Sequence, residues 1–197
     1  MRLAWGAALS GVVLLGATNL AVAAAISTTT KSYGISGRTG TALLQSMNKR
    51  GPKHGFLSRA IAQTQYQIEW DVKIGADRGT CRLARATPHI RIAYTYPQPS
   101  ERLSPDLRRR WDRFMAGVRK HEQQHGRYAI QMVNAAERAV RGVRVSNDPN
   151  CRKAGAEIRR RVQSVYEQYE AKQIVFDRRE HRENGNIHRL IRRLIAQ

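Results

Sequence analysis

An α+β fold is what this sequence predicts: a small antiparallel β-sheet with a short helix near its N-terminal end, packed on two long antiparallel helices in the C-terminal half. Three observations carry that expectation. Residues 60–74 and 81–96 alternate apolar and polar side chains at period two, the signature of half-buried strands. The stretches from Ser104 to about Val143 and from Cys151 to near Glu180 repeat apolar residues at helical spacing. Between them lies only a short connector with the turn Ser146-Asn147-Asp148-Pro149-Asn150, so the two helices should lie side by side and antiparallel.

The chain has 197 residues, enough for one domain with a real core. Its charge is uneven: 35 Lys+Arg against 15 Asp+Glu give a net +20, a field that favours anionic partners. Residues 1–25 read as a secretory signal. Arg2 supplies a positive start, Leu3 to Ala17 is apolar or small throughout, and Ala21-Val22-Ala23 offers an A-x-A cleavage pattern. The apolar run is marginal for an anchor, and nothing later is long and apolar enough to cross a bilayer. A secreted or periplasmic protein is expected, with one domain over 26–180 and a basic tail over 181–197.

The elements follow in order. Ser27 to Thr30 is a polar spacer and Lys31 to Ser36 a short strand, broken by Gly37-Arg38-Thr39-Gly40. Ala42, Leu43, Leu44 and Met47 fit one face of a short helix that Gly51-Pro52 stops, before a basic loop with Lys53 and His54. Tyr66, Ile68, Trp70 and Val72 alternate with Gln65, Gln67, Glu69 and Asp71 on the next strand. After the turn at 75–79, residues 81–96 form a second strand or a pair of strands, interrupted at Pro88. Ile90, Ile92 and Tyr94 face one way and His89 and Arg91 the other, so His89 is a solvated strand residue. The two segments should pair as an antiparallel hairpin.

Ser104-Pro105-Asp106 is a helix start: a capping hydroxyl, a proline at the first position and an acid in the first turn. At about 100° per residue, Trp111, Phe114, Met115, Val118, Ala129, Met132, Ala136 and Val140 form one stripe. On the second helix Ile158, Val162, Val165, Tyr169 and Phe176 do the same. In the tail, Leu190, Ile191, Leu194 and Ile195 make a small amphipathic end, read as a docking or surface segment. The two cysteines, Cys81 and Cys151, lack metal-ligand spacing, and in an oxidising compartment they are expected to form a disulfide. Closing a loop of that length stabilises a fold by about 4 kcal/mol on the chain-entropy model.

One stretch of the long helix carries chemistry: His121-Glu122-Gln123-Gln124-His125-Gly126. Histidines four apart lie one turn apart and can aim at one point, as the first two ligands of a zinc ion. Glu122, between them, is placed to act as general base toward a water activated by the ion. Glu122 and His125 fall inside the apolar stripe and His121 on its edge, whereas Lys120, Gln123, Gln124 and Arg127 face away. Buried charges without a partner are costly, and a cation is an economical partner. With an HExxH helix the expected architecture becomes zincin-like. No histidine follows Gly126 at the short spacing of an extended motif, so a third ligand must come from the second helix or its end. His181 is favoured, Glu180 is the alternative, Asp177 lies to the side of the stripe, and Glu157 points away from it. Tyr128 could assist an oxyanion, with packing as its simpler role.

With Tyr33-Gly34-Ile35-Ser36-Gly37-Arg38-Thr39, the Ile68-Glu69-Trp70 strand, Cys81 opening the next strand and the His121–Gly126 helix, residues 32–180 resemble the bacterial domain of unknown function 922. The resemblance implies a secreted zinc-dependent protease. Members of that family end in Tyr-Asp and then Thr-x-His-Gly. Phe176-Asp177 matches the start, whereas Arg178-Arg179-Glu180-His181-Arg182-Glu183 departs from the continuation and leaves the third ligand open.

The function expected is therefore a secreted zinc metallohydrolase, a peptidase acting on peptide or protein substrates: His121, His125 and His181 on Zn2+, and Glu122 as base. Peptidase and amidase chemistry are not separable at this level. The competing expectation is a basic cell-envelope binding module that keeps the fold without hydrolysis and is held to anionic wall polymers or lipid headgroups. A nucleic-acid partner is disfavoured, since no nucleic-acid motif accompanies the charge.

Overall fold

The structure is a computed structural model and describes residues 25–54 and 58–196. The expected leader falls almost wholly on residues 1–24, outside the described residues. The elements run β1 (Ala25–Ile35), α1 (Gly40–Arg50), β2 (Lys53–His54), β3 (Ser58–Arg59), β4 (Gln63–Asp77), β5 (Thr80–Pro99), α2 (Pro105–Val140), β6 (Arg144–Val145), α3 (Arg152–His181) and α4 (Asn186–Ile195). The class is α+β, as expected.

The sheet is mixed rather than antiparallel. β4 and β5 form the expected antiparallel hairpin, with Ile68 opposite Ile90 and Tyr66 opposite Ile92. β1, however, runs parallel to β5 from Ala25 opposite His89 to Ile35 opposite Pro99, giving the order β1-β5-β4. The stretch read as a spacer, Ser27 to Thr30, is thus part of β1. Its threonines suit an extended edge strand, but nearly the whole strand is exposed, so no apolar alternation marks it. Parallel pairing needs a long crossover, which α1, the β2–β3 hairpin and β4 supply.

β5 is one continuous strand of 20 residues. Pro88 pairs with Trp70 on β4, and the described part of β1 begins one residue later, opposite His89. Pro88 therefore sits where β5 has a described neighbour on one side only, a position that tolerates a missing N–H. His89 is exposed, as expected.

α2 starts as read. The Ser104 hydroxyl accepts from the Leu107 amide, and Pro105 holds the first position. Its stripe is buried from Leu107 to Val140. α3 is antiparallel to α2: Gln173 meets His125, and Arg161 Nη1 donates to the Ala139 carbonyl near the other end. The start of α3 is capped from a distance, since the buried Asp148 carboxylate accepts from the Ala154 amide at 2.8 Å. Cys81 and Cys151 are joined in a disulfide, which ties the sheet to the head of α3.

Of the two readings of the C-terminal segment, docking is the one the structure has: its apolar face is buried and its arginines stay exposed. α4 folds back across α1 and α2, with Leu194 fully buried and Ile187 nearly so. Leu194 joins Ile35, Leu43, Met47, Trp111, Phe114 and Val118 in the largest apolar cluster. At Gly40 an added Cβ would stand 2.0 Å from the Leu194 carbonyl oxygen, so this close helix contact depends on glycine. No described helix is long and apolar enough to cross a membrane.

Candidate metal centre

α2 is clamped between the sheet and α3, and the motif uses both sides. Glu122 turns toward the sheet and the two histidines toward α3. His121 is 6% and Glu122 7% exposed, inside an otherwise apolar stripe. That burial follows from helix phase: both lie between Val118 and Ala129 on the inward arc.

The histidines converge on α3. His121 Nε2 and His125 Nε2 are 3.3 Å apart. Asp177 Oδ1 lies 3.3 Å from the first and 2.9 Å from the second. Gln173 Oε1 meets His125 Nδ1 at 2.9 Å, and Gln173 Nε2 donates to Tyr66 Oη on β4 at 3.1 Å. An amide oxygen can only accept, so Nδ1 carries the proton and the Nε2 lone pair of neutral His125 points at the carboxylate. His121 Nε2 faces the same carboxylate oxygen, and no partner at Nδ1 fixes its tautomer. A proton or a cation among these three atoms relieves the facing lone pairs. Protonation is favoured accordingly. Burial pulls the His125 pKa down, but hydrogen bonds to Asp177 and Gln173 outweigh it and raise the value. Burial pushes Asp177 up, yet hydrogen bonds from His121 and His125 hold it well below the usual carboxylate range.

His181 stands beside this trio. One ligand atom from each of His121, Asp177 and His181 lies within 4.8 Å of the others, so these three could also hold a metal. Burial, helped by the nearby His121, lowers the His181 pKa and favours the neutral ring. Glu180 Oε2 is 4.0 Å from His121 Nδ1, a nitrogen that is buried without a hydrogen-bond partner among the described residues.

The Glu122 carboxylate is held from the sheet. Thr64 Oγ1, on β4, lies 2.7 Å from Glu122 Oε2 and 3.0 Å from its main-chain oxygen. Tyr94 and Tyr96 flank the same side. Burial, with the negative field of Glu122, raises both phenols, that of Tyr96 to about 12, so both stay protonated. Gly126 fits under this pair: an added Cβ would come within 2.0 Å of Tyr94 Oη.

Phe176 walls the cluster. Its ring centroid lies 4.9 Å from that of His121, 5.3 Å from His125 and 5.7 Å from Tyr128. Tyr128 thus packs on Phe176, the simpler of its two expected roles. Beside His121 and Phe176 opens a cavity of about 410 Å³ whose rim carries Lys120, Arg127, Arg179 and Arg189.

The structure brings His181 to His121 and Asp177 and His125 to His121 and Asp177, while the Glu122 carboxylate turns to Thr64 on the sheet side of the same helix. Asp177, read as lying to the side, bridges both motif histidines instead. The flank of the α3 stripe is its inward side here, because α3 packs on α2 with Gln173 and Asp177 and meets β4 through Tyr166 Oη, which accepts from Trp70 Nε1. A local signal existed: Asp177 and His181 are four apart, the same spacing as His121 and His125. Thr64, Gln173 and Tyr66 carried no signal, since they reach the motif only through tertiary packing. Glu157 is far from the cluster and paired with Arg160 and Arg161.

An α+β domain in which two long helices aim two histidines and a carboxylate at one point is therefore the class defined by fold and site. The chain belongs to a family of bacterial proteins of unknown function, DUF922, whose family model matches residues 30–185. No curated protein and no solved structure matches the chain.

Proposed function

We propose that the protein is a zinc-dependent hydrolase that cleaves peptide bonds after export from the cytoplasm. The single observation that carries this reading is the convergence of His121 Nε2, His125 Nε2 and Asp177 Oδ1, at 3.3, 3.3 and 2.9 Å from one another. Donors about 2.0–2.1 Å from a tetrahedral zinc ion stand about 3.3 Å apart. Two edges of the trio meet that spacing and the third is slightly short. The donor set, two imidazoles and a carboxylate, is one that leaves a fourth position open in catalytic sites. This reading takes Asp177 as third ligand, with His181 beside it as an additional donor.

A zinc ion supplies Lewis-acid chemistry, making a water more acidic and a carbonyl more electrophilic. The chain's own residues do the rest. Gln173 fixes His125 as the tautomer that presents Nε2. Thr64 orients Glu122 Oε2, which accepts a proton from the attacking water and returns it to the leaving amine. The protonated Tyr94 hydroxyl on the Glu122 side is a donor available to developing negative charge.

Metal content of the purified full chain, with a Glu122→Gln variant in a peptide-library cleavage assay, tests the reading. Close to one zinc per chain, lost in His125→Ala, and cleavage abolished in Glu122→Gln with zinc retained, are expected. Cleavage that persists in Glu122→Gln, or in protein stripped of metal, sinks it. The competing reading, a basic envelope-binding module, draws support from the +20 charge. It predicts salt-sensitive binding to anionic polymers that is indifferent to Glu122.

A further inference from the structure

The cavity beside His121 gathers four cations around one concave space. Its cations come from three separate helices: Lys120 and Arg127 from α2, Arg179 from α3, Arg189 from α4. Some arginines elsewhere are paired locally, as in Arg85–Asp71, Arg109–Asp106, Arg141–Glu137 and Arg160–Glu157. In the cavity, among the described residues, no carboxylate lies within 4.0 Å of Lys120, Arg127 or Arg189. The one acid lining it is Glu180, which Arg179 Nε approaches at 3.8 Å. The Arg127 fork is preset: Gln124 Oε1 takes its Nε–H at 3.0 Å and one Nη2–H at 2.7 Å, and Nη1 has no hydrogen bond among the described residues. Like charges gathered without counter-charge repel one another, and an anionic ligand relieves that repulsion.

We propose that this cavity is a recognition subsite for acidic peptide segments, so that Asp or Glu side chains of a substrate seat among Lys120, Arg127 and Arg189 next to the cluster. The proposal rests on the hydrolase reading and gives it a substrate class. A volume of about 410 Å³ suits one or two side chains. Phe176 supplies an apolar wall for their methylenes, and arginine forks match carboxylates in geometry. A flat bilayer surface or a nucleic-acid backbone calls for an extended basic face instead.

Fluorescence anisotropy on the full chain carrying Glu122→Gln, zinc-loaded, tests this with labelled heptapeptides rich in Glu, Gln or Lys. Two double variants remove the same charge: Lys120→Glu with Arg127→Glu in the cavity, and Lys49→Glu with Lys73→Glu on distant surfaces. Thermal melts and zinc content establish that each is folded and loaded, and Arg127→Gln alone replaces the cavity pair if that pair fails to fold. The Glu peptide is expected to bind tighter than the Gln peptide, and the cavity pair to weaken it by about tenfold, with far less effect from the distant pair. Equal losses from both pairs, equal affinity for the Gln peptide, or tighter binding to phosphatidylglycerol vesicles than to the Glu peptide overturn the subsite. Cleavage assays on the unsubstituted chain separate the two readings. Acidic peptides bound but never cut overturn the hydrolase and leave the subsite, whereas cleavage indifferent to acidic residues overturns the subsite alone.

Discussion

Asp177 joins both motif histidines, and its removal should be felt in metal binding and in folding. In the metal-free chain the His125 pKa is raised and that of Asp177 depressed. A raised histidine stabilises the fold below its unfolded value, and that contribution is lost as pH rises through the folded value. A depressed aspartate contributes above its unfolded value and loses it as pH falls through the folded one. Both are present together between about pH 4 and pH 6.5, the two unfolded values. Asp177→Asn, compared with the unsubstituted chain in EDTA by urea unfolding, should therefore lose most stability in that window and less at pH 8. A difference that is flat with pH contradicts the pairing. Gln173 acts one step back. Gln173→Leu should weaken zinc binding by about 10–100-fold, as removal of a histidine-orienting group does, read by competition with a chromophoric chelator. His125→Ala should weaken it further.

At the scale of the element, α2 is a long helix whose start and middle depend on different physics. Its start relies on the Ser104 hydroxyl and Pro105. Ser104→Ala should cost about 1 kcal/mol, measured as a shift in urea midpoint with an unchanged slope. Its middle relies on Gly126, which lets Tyr94 reach across from β5. Gly126→Ala should cost about 1–3 kcal/mol through overpacking. Tyr94→Phe should relieve part of that cost by deleting the hydroxyl that the new Cβ meets at 2.0 Å. A glycine after a histidine motif reads in sequence as a weak helix residue. Its role as a seat for a phenol on another element was not legible there.

Across the whole molecule, the sheet, α3 and α4 are held around α2 by separate means. The disulfide spans 70 residues, and reducing it should lower stability by about 4 kcal/mol if the unfolded chain behaves as a free loop. α4 completes the largest apolar cluster, so Leu194→Ala should cost about 2–5 kcal/mol. A surface tail would show almost no effect in the same calorimetric scan. The tail read as a docking or surface segment, since Leu190, Ile191, Leu194 and Ile195 hold an amphipathic pattern among basic residues. What the pattern lacked was an address: a short apolar stripe records that a helix has a buried side, not which surface buries it.

Sequence alone determined the features that rest on neighbours in the chain. The α+β class, the β4–β5 hairpin, the start of α2, the inward phase of His121, Glu122 and His125, and the cysteine pair all follow from period, cap and count. Tertiary structure decided what meets what. The parallel course of β1 along β5, the docking of α4, Thr64 beneath Glu122, and Asp177 as bridge to both histidines depend on the register between elements far apart in sequence. The cause is geometric. A helix or strand advertises which of its faces is buried, but sliding α3 against α2 by one turn would exchange Asp177 for Gln173 or His181 without altering either stripe. Side-chain packing across the whole interface selects the register, and no local pattern encodes it.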